Sequence, residues 1–135
     1  LNRYLALVLG LGLTLVLLVA ACGDDDDDSK AEAPDDDDVL AAVTQALLDK
    51  NGWDPADVEI TLGRVEDGRF ATGGVRDVPP AGGGLWFAAL VDGEWRIVWD
   101  GNGAIDCPSL EPYPDFPASL IAECYDPSDG SVTQR

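Results

Sequence analysis

Chemistry in this chain would have to come from carboxylates, tryptophans and cysteines, because it contains no His. Without imidazole there is no Ser-His-Asp or Cys-His catalysis, most zinc sites are excluded, and the usual general base is missing. Neighbouring acids at Glu66/Asp67 and Asp92/Glu94 have the type for acid–base work. In a chain with 26 acidic residues, however, such neighbours arise by number alone. The series Asp100-Gly101-Asn102-Gly103-Ala104-Ile105-Asp106 sets side-chain oxygens two residues apart beside a glycine, a spacing with which a loop can wrap Ca²⁺. Trp53, Trp86, Trp95 and Trp99 have the type for a sugar- or peptide-binding face.

The calcium series is similar to the middle of an EF-hand loop, with Asp100 third, Asn102 fifth, Gly103 sixth and Ile105 eighth. It fails at its ends. Val98 holds the first ligand position, Ser109 stands where a bidentate Glu is required, and Trp95–Trp99 enters as a strand. The expectation is a Gly-Asn-Gly turn with no metal. Trp95 and Trp99 share parity with Ile97, which puts all three on one strand face; with Ile97 toward a helix, both indoles are core. Gly82-Gly83-Gly84 lacks the Lys and Ser/Thr of a phosphate loop and precedes a strand, so it reads as a flexible connection. No catalytic residue, metal site or cofactor is expected.

Charge excludes a further class. Eight basic against 26 acidic residues give a net charge of -18 at pH 7, whereas a nucleic-acid binder neutralises phosphates with a basic surface. The chain opens on LNRYLALVLGLGLTLVLLVAAC, with Arg3 as cation, Leu5–Val19 as apolar stretch and small residues before Cys22. A secretory signal peptide has these parts in this order. Val19-Ala20-Ala21-Cys22 resembles the lipobox of bacterial lipoproteins, an aliphatic residue and two small ones before an obligatory Cys. That resemblance implies a diacylglyceryl group on the Cys22 thiol and cleavage after Ala21, which removes residues 1–21. It also implies anchorage to the lipid bilayer of a bacterial cell envelope, facing outside the cytoplasm. Leu1 in place of Met and the single cation Arg3 depart from the pattern. The competing reading is a plain transmembrane span over Tyr4–Ala21, but a span needs neither the small residues nor the Cys.

Residues 22–38 then read as the lipidated Cys and an acidic linker. Residues 23–38 hold ten carboxylates, one Lys and no aromatic or β-branched residue. Such a stretch cannot bury enough apolar surface to fold, and its like charges extend it. With Cys22 assigned to lipid, Cys107 and Cys124 remain as a pair in an exported domain, where a disulfide is expected. A reactive or metal-binding pair would need a nearby cation or a CxxC spacing, and neither Cys has one. The run Asp92–Gly101, followed by Cys107-Pro108, Phe116-Pro117 and Cys124-Tyr125, is similar to a small uncharacterised domain of exported bacterial proteins. The resemblance implies the same staple and carries over no substrate.

The elements that would position these residues lie within 39–126, with 127–135 as a C-terminal tail. Val39, Leu40, Val43, Leu47 and Leu48 recur at helical spacing, which predicts a helix over 37–50, capped within Asp36–Asp38 and stopped by Gly52. Val58, Ile60 and Leu62 alternate as a strand, with Gly63 bending it. Asp67-Gly68 and Asp92-Gly93 are hairpin signals around Arg69–Arg76, Leu85–Val91 and Glu94–Asp100. The expected fold class is α+β: one N-terminal amphipathic helix on a four-stranded antiparallel meander, with a disulfide-stapled Pro-rich C-terminal segment. That segment, 107–124, is expected to dock as a lid through Leu110, Tyr113, Phe116, Leu120 and Ile121. One helical turn is expected after Pro117. With the staple removed, helix and meander are expected to stay folded.

The expected function is non-enzymatic binding or modulation of an extracytoplasmic protein or glycan. An alternative is inhibition of an exported peptidase. The order α-β-β-β-β resembles that of cystatin-like folds, although the QxVxG hairpin of inhibitory cystatins does not occur here. A third reading is a cell-wall or polysaccharide hydrolase using two facing carboxylates.

Overall fold

The computed structural model describes residues 34–135; residues 1–21, Cys22 and the acidic run up to residue 33 lie outside the described residues. Residues 34–135 form an α+β fold, a helix and a four-stranded antiparallel sheet, with a Cys107–Cys124 disulfide. Among the described residues no helix is long and apolar enough to cross a membrane.

Helix α1 (Asp36–Asn51) starts where the Asp35 carboxylate accepts from the Asp37 N–H at 2.9 Å. Asp36, Asp37 and Asp38 put negative charge against the positive end of the helix. The cap lies one residue before the expected trio, and those three form the first helical turn rather than the end of a linker. Gly52 stops the helix at φ 66° and donates to the Leu48 carbonyl at 2.8 Å. Val39, Val43 and Leu47, four apart, are fully buried against the sheet.

Strands β1 (Val58–Glu66), β2 (Phe70–Asp77), β3 (Gly83–Val91) and β4 (Glu94–Gly101) pair in chain order. The turn residues Asp67, Gly68, Asp92 and Gly93 all have positive φ (54°, 63°, 53° and 82°), which is the twist a tight antiparallel hairpin requires. At Gly63 the β1–β2 register shifts, and a Cβ there would come within 3.2 Å of the Thr72 carbonyl.

Both faces of the sheet are covered. Ala71, Trp86 and Ala88 pack with α1 on one side; Phe70, Phe87 and Ala89 pack on the other against the C-terminal segment. Trp86, Phe87, Ala88 and Ala89 thus alternate between opposite cores, which accounts for the centre of the apolar run Leu85–Val91, whereas Leu85 at its start is exposed. The second layer is built from α2 (Cys107–Leu110), Pro-rich turns, β5 (Glu123–Tyr125) and β6 (Val132–Gln134). Leu110, Tyr113, Phe116, Leu120 and Ile121 all pack into it. The Pro117 carbonyl accepts from the N–H groups of Leu120 and Ile121 at 3.1 Å, closing the expected turn.

This layer is more than a lid. Ile105, Leu110, Phe116, Ile121 and Cys124 are five of the nine buried residues of their cluster, so the layer supplies more than half of that cluster. Residues 127–135 also carry structure. β6 pairs with β5, and Arg135 donates to the Phe116 carbonyl at 3.1 Å. A three-residue strand leaves no periodicity to read in a sequence.

The shared-parity expectation for Trp95 and Trp99 is corrected. Between Phe87 and Ala88 the β3–β4 register shifts, so Phe87 lies opposite Trp99 and Ala88 opposite Ile97, with Val98 between. Trp95 and Ile97 pack on the α1 side. Val98 and Trp99 pack on the other, where Trp99 meets Phe87 at 6.3 Å between ring centroids. One inserted residue reverses the face of everything beyond it.

Candidate functional site

The antiparallel meander places the Asp67-Gly68 and Asp92-Gly93 turns at one end of the sheet and the β2–β3 loop, with the end of β4, at the other. At this second end, beside the C-terminus of α1, lies a cleft of about 240 Å³. Gly83, Gly84 and Gly101 line part of it with backbone alone. A Cβ on Gly84 would stand 2.3 Å from the Gly101 carbonyl oxygen, and one on Gly83 2.7 Å from that of Val75. Any side chain there would force the strands apart. Gly83 and Gly84 are therefore paired strand residues, opposite Arg76 and Val75, and not the flexible connection their composition suggests.

Trp53 and Val75 supply the apolar wall, and Asp77, Asp100 and Asn102 the polar groups. Trp53 is positioned by the helix stop: the chain reverses at Gly52, and the Trp53 N–H donates to the Leu48 carbonyl at 3.2 Å. The Asp100 side chain is only 9% exposed and accepts from Lys50 Nζ and, at 3.1 Å, from Asn51 Nδ2. Both donors come from the last turn of α1, where a cation also suits the helix dipole. The helix end thus fixes this carboxylate. Asp77 forms no ion pair among the described residues.

The calcium-like series is divided between two helices. Asp100 binds the end of α1, while Asp106 caps α2, accepting from the Ser109 amide at 2.9 Å and its hydroxyl at 2.8 Å. Ser109, in the place of the missing Glu, is thus a capping partner. Among the described residues no three His, Cys, Asp or Glu side chains are grouped to hold a metal ion. Asp67 and Asp92 are turn residues. Glu66 accepts from Ser119 Oγ at 2.5 Å and faces Arg64 at 2.8 Å, and Glu94 lies 3.9 Å from Arg96. These acids sit at the hairpin end, away from the cleft.

Trp86 is fully buried across Gly73, donating from Nε1 to the Gly74 carbonyl at 3.1 Å. With Trp95 and Trp99 in the two cores, Trp53 is the one tryptophan lining the cleft. Sequence reasoning overlooked Asp77 and the Lys50–Asp100 pair. The available signal was the glycine pair Gly83-Gly84 together with Gly101, which lies opposite the next residue, Leu85, and means something only once the register is known. Cys107 and Cys124 are bonded, with Cα atoms 5.0 Å apart. Compared with protein-family models, curated proteins and solved structures, the chain matches none.

Proposed function

We propose that this chain is a lipid-anchored, extracytoplasmic, non-enzymatic binding module whose ligand docks in the glycine-lined cleft. The carrying observation is the cleft itself, a small concavity that sets the apolar Trp53 and Val75 beside three polar side chains, one of which, Asp100, is fixed by the helix end. The Val19-Ala20-Ala21-Cys22 resemblance supports the anchor, and the Cys107–Cys124 bond suits an oxidising compartment. Binding is favoured over hydrolysis because, among the described residues, no second carboxylate stands free beside Asp77 in the cleft. The Asp100 oxygens are engaged by Lys50 and Asn51, which leaves Asp77 alone, whereas glycoside hydrolysis needs an acid and a second working carboxylate.

The test has two arms on the full chain expressed in a bacterium. The wild type should partition into detergent and take up labelled fatty acid, and Cys22→Ala should lose both. Material extracted from the envelope should shift the NMR signal of the Trp53 indole N–H. A Cys22→Ala variant that stays in the detergent phase would overturn the anchor, and an unmoved Trp53 signal would overturn the site.

A further inference from the structure

We infer that the cleft takes a single neutral sugar ring, an inference that rests on the binding reading above and names the ligand class of that site. Size is the first argument. At about 240 Å³ the cleft is smaller than the ~300–1,000 Å³ of drug-sized sites, so it suits one ring and not an extended peptide. Its walls match the two kinds of surface that a pyranose presents. Trp53, half-buried and so both held and reachable, offers an indole to the ring's C–H face. Gly83, Gly84 and Gly101 line the rest of the cleft with backbone alone, so no side chain from them fills it.

The polar groups address hydroxyls. Asp100 is held by Lys50 and Asn51 before any ligand arrives, so no side-chain entropy is lost there on binding. Asn102 brings an amide, which both donates and accepts, and Asp77 a carboxylate that accepts. Charge then separates neutral ligands from ionic ones. The unpaired Asp77 and a chain of net charge -18 repel anions. Lys50, already seated on Asp100, opposes a second cation at that carboxylate. Asp77 is exposed, so water and salt screen its pull on a cation, and a neutral, polyhydroxylated ring is the ligand that uses the indole and the polar groups together.

The experiment is an NMR titration of the ¹⁵N-labelled full chain in detergent micelles. The probes are methyl β-glucoside, N-acetylglucosamine and methyl α-mannoside, with glucuronate as anionic and tetramethylammonium as cationic control. At least one neutral sugar should move the Trp53 indole and the Gly83, Gly84 and Gly101 amides saturably, with a Kd of about 1 mM for so small a contact. Both ionic controls should bind at least tenfold more weakly. Trp53→Ala should weaken the sugar tenfold or more, while Trp53→Phe, which keeps an aromatic face, should retain most of the affinity. A larger response to tetramethylammonium or glucuronate than to any sugar would overturn the inference. So would silence toward all three sugars at about 50 mM, far above the expected Kd. If envelope extract still moves Trp53 in that case, the binding reading survives and only the sugar assignment fails; if nothing moves it, both fall.

Discussion

Truncating Phe116 to Ala removes the centre of the second core. Phe116 is 3% exposed and meets Phe70 edge-on at 5.1 Å and Phe87 at 6.3 Å between centroids. A buried Phe→Ala change costs ~3–5 kcal/mol, out of ~5–15 kcal/mol for a whole domain. The disulfide closes a 17-residue separation, and its removal costs about 3 kcal/mol in the chain-entropy model. Phe116→Ala should therefore destabilise at least as much as Cys107→Ser/Cys124→Ser. A dispensable lid held only by its staple would give the reverse order. The loss should also be global, because Phe70 and Phe87 stand on β2 and β3 next to Ala71 and Trp86, which carry α1. Urea unfolding followed by far-ultraviolet circular dichroism, for α1, and near-ultraviolet dichroism, for the aromatic cores, should give one coincident transition at a lower midpoint. An unchanged midpoint would refute the reasoning, as would proteolysis confined to 107–124 while α1 stays helical.

Gly73→Ala should destabilise by ~3 kcal/mol or more, as overpacking at the severe end does. Its Cβ would fall 1.9 Å from the Thr61 carbonyl and 2.5 Å from the Trp86 ring; a melting temperature within a few degrees of wild type would contradict this. Micromolar Ca²⁺ should leave the melting curve unchanged, because Asp100 is engaged by Lys50 and Asn51. A saturable rise that Asp100→Ala abolishes would restore the calcium site. The Asp129 carboxyl is held below its ordinary value of 3.8 by the Ser131 backbone N–H first and the Ser131 side chain second. With the folded value depressed, its stabilising contribution is present above pH 3.8 and fades as pH falls through the folded value. In an NMR titration Ser131→Ala should return Asp129 only part of the way, since the N–H donor at 2.8 Å remains; a complete return would show the hydroxyl to be the main cause.

What was legible in the sequence acts over a few residues. Gly52, Asp67-Gly68 and Asp92-Gly93 declare themselves through backbone conformations that glycine or Asp tolerates, and Gly63 through its interruption of an alternating strand. The residues that dock 107–124 were legible because large apolar groups between prolines have little else to do. The Val98 insertion was not, because a bulge is defined by the strand opposite and β4 alone still alternates. The cleft was hidden for a related reason. Trp53, Asp77 and Asp100 lie in different elements, and only the pairing of β2, β3 and β4 brings them together. Asp77 in particular is one acid among 26 until a register gives it neighbours.

The burial of β3 on both faces has a consequence during synthesis. Leu-Trp-Phe-Ala-Ala-Leu-Val, residues 85–91, has no charge and no Pro, the composition of a segment that self-associates as cross-β when exposed. In the native fold α1 guards one side of it and the C-terminal layer the other. The second guard is encoded last: Phe116, Ile121 and Cys124 come after the run by a full hairpin and several turns. A nascent chain therefore carries an unshielded adhesive strand until nearly its final residues emerge. The acids Asp92 and Glu94 immediately after the run, and the glycines before it, are its only local brakes. A stalled chain that ends before residue 107 would keep that strand bare on the side the C-terminal layer covers.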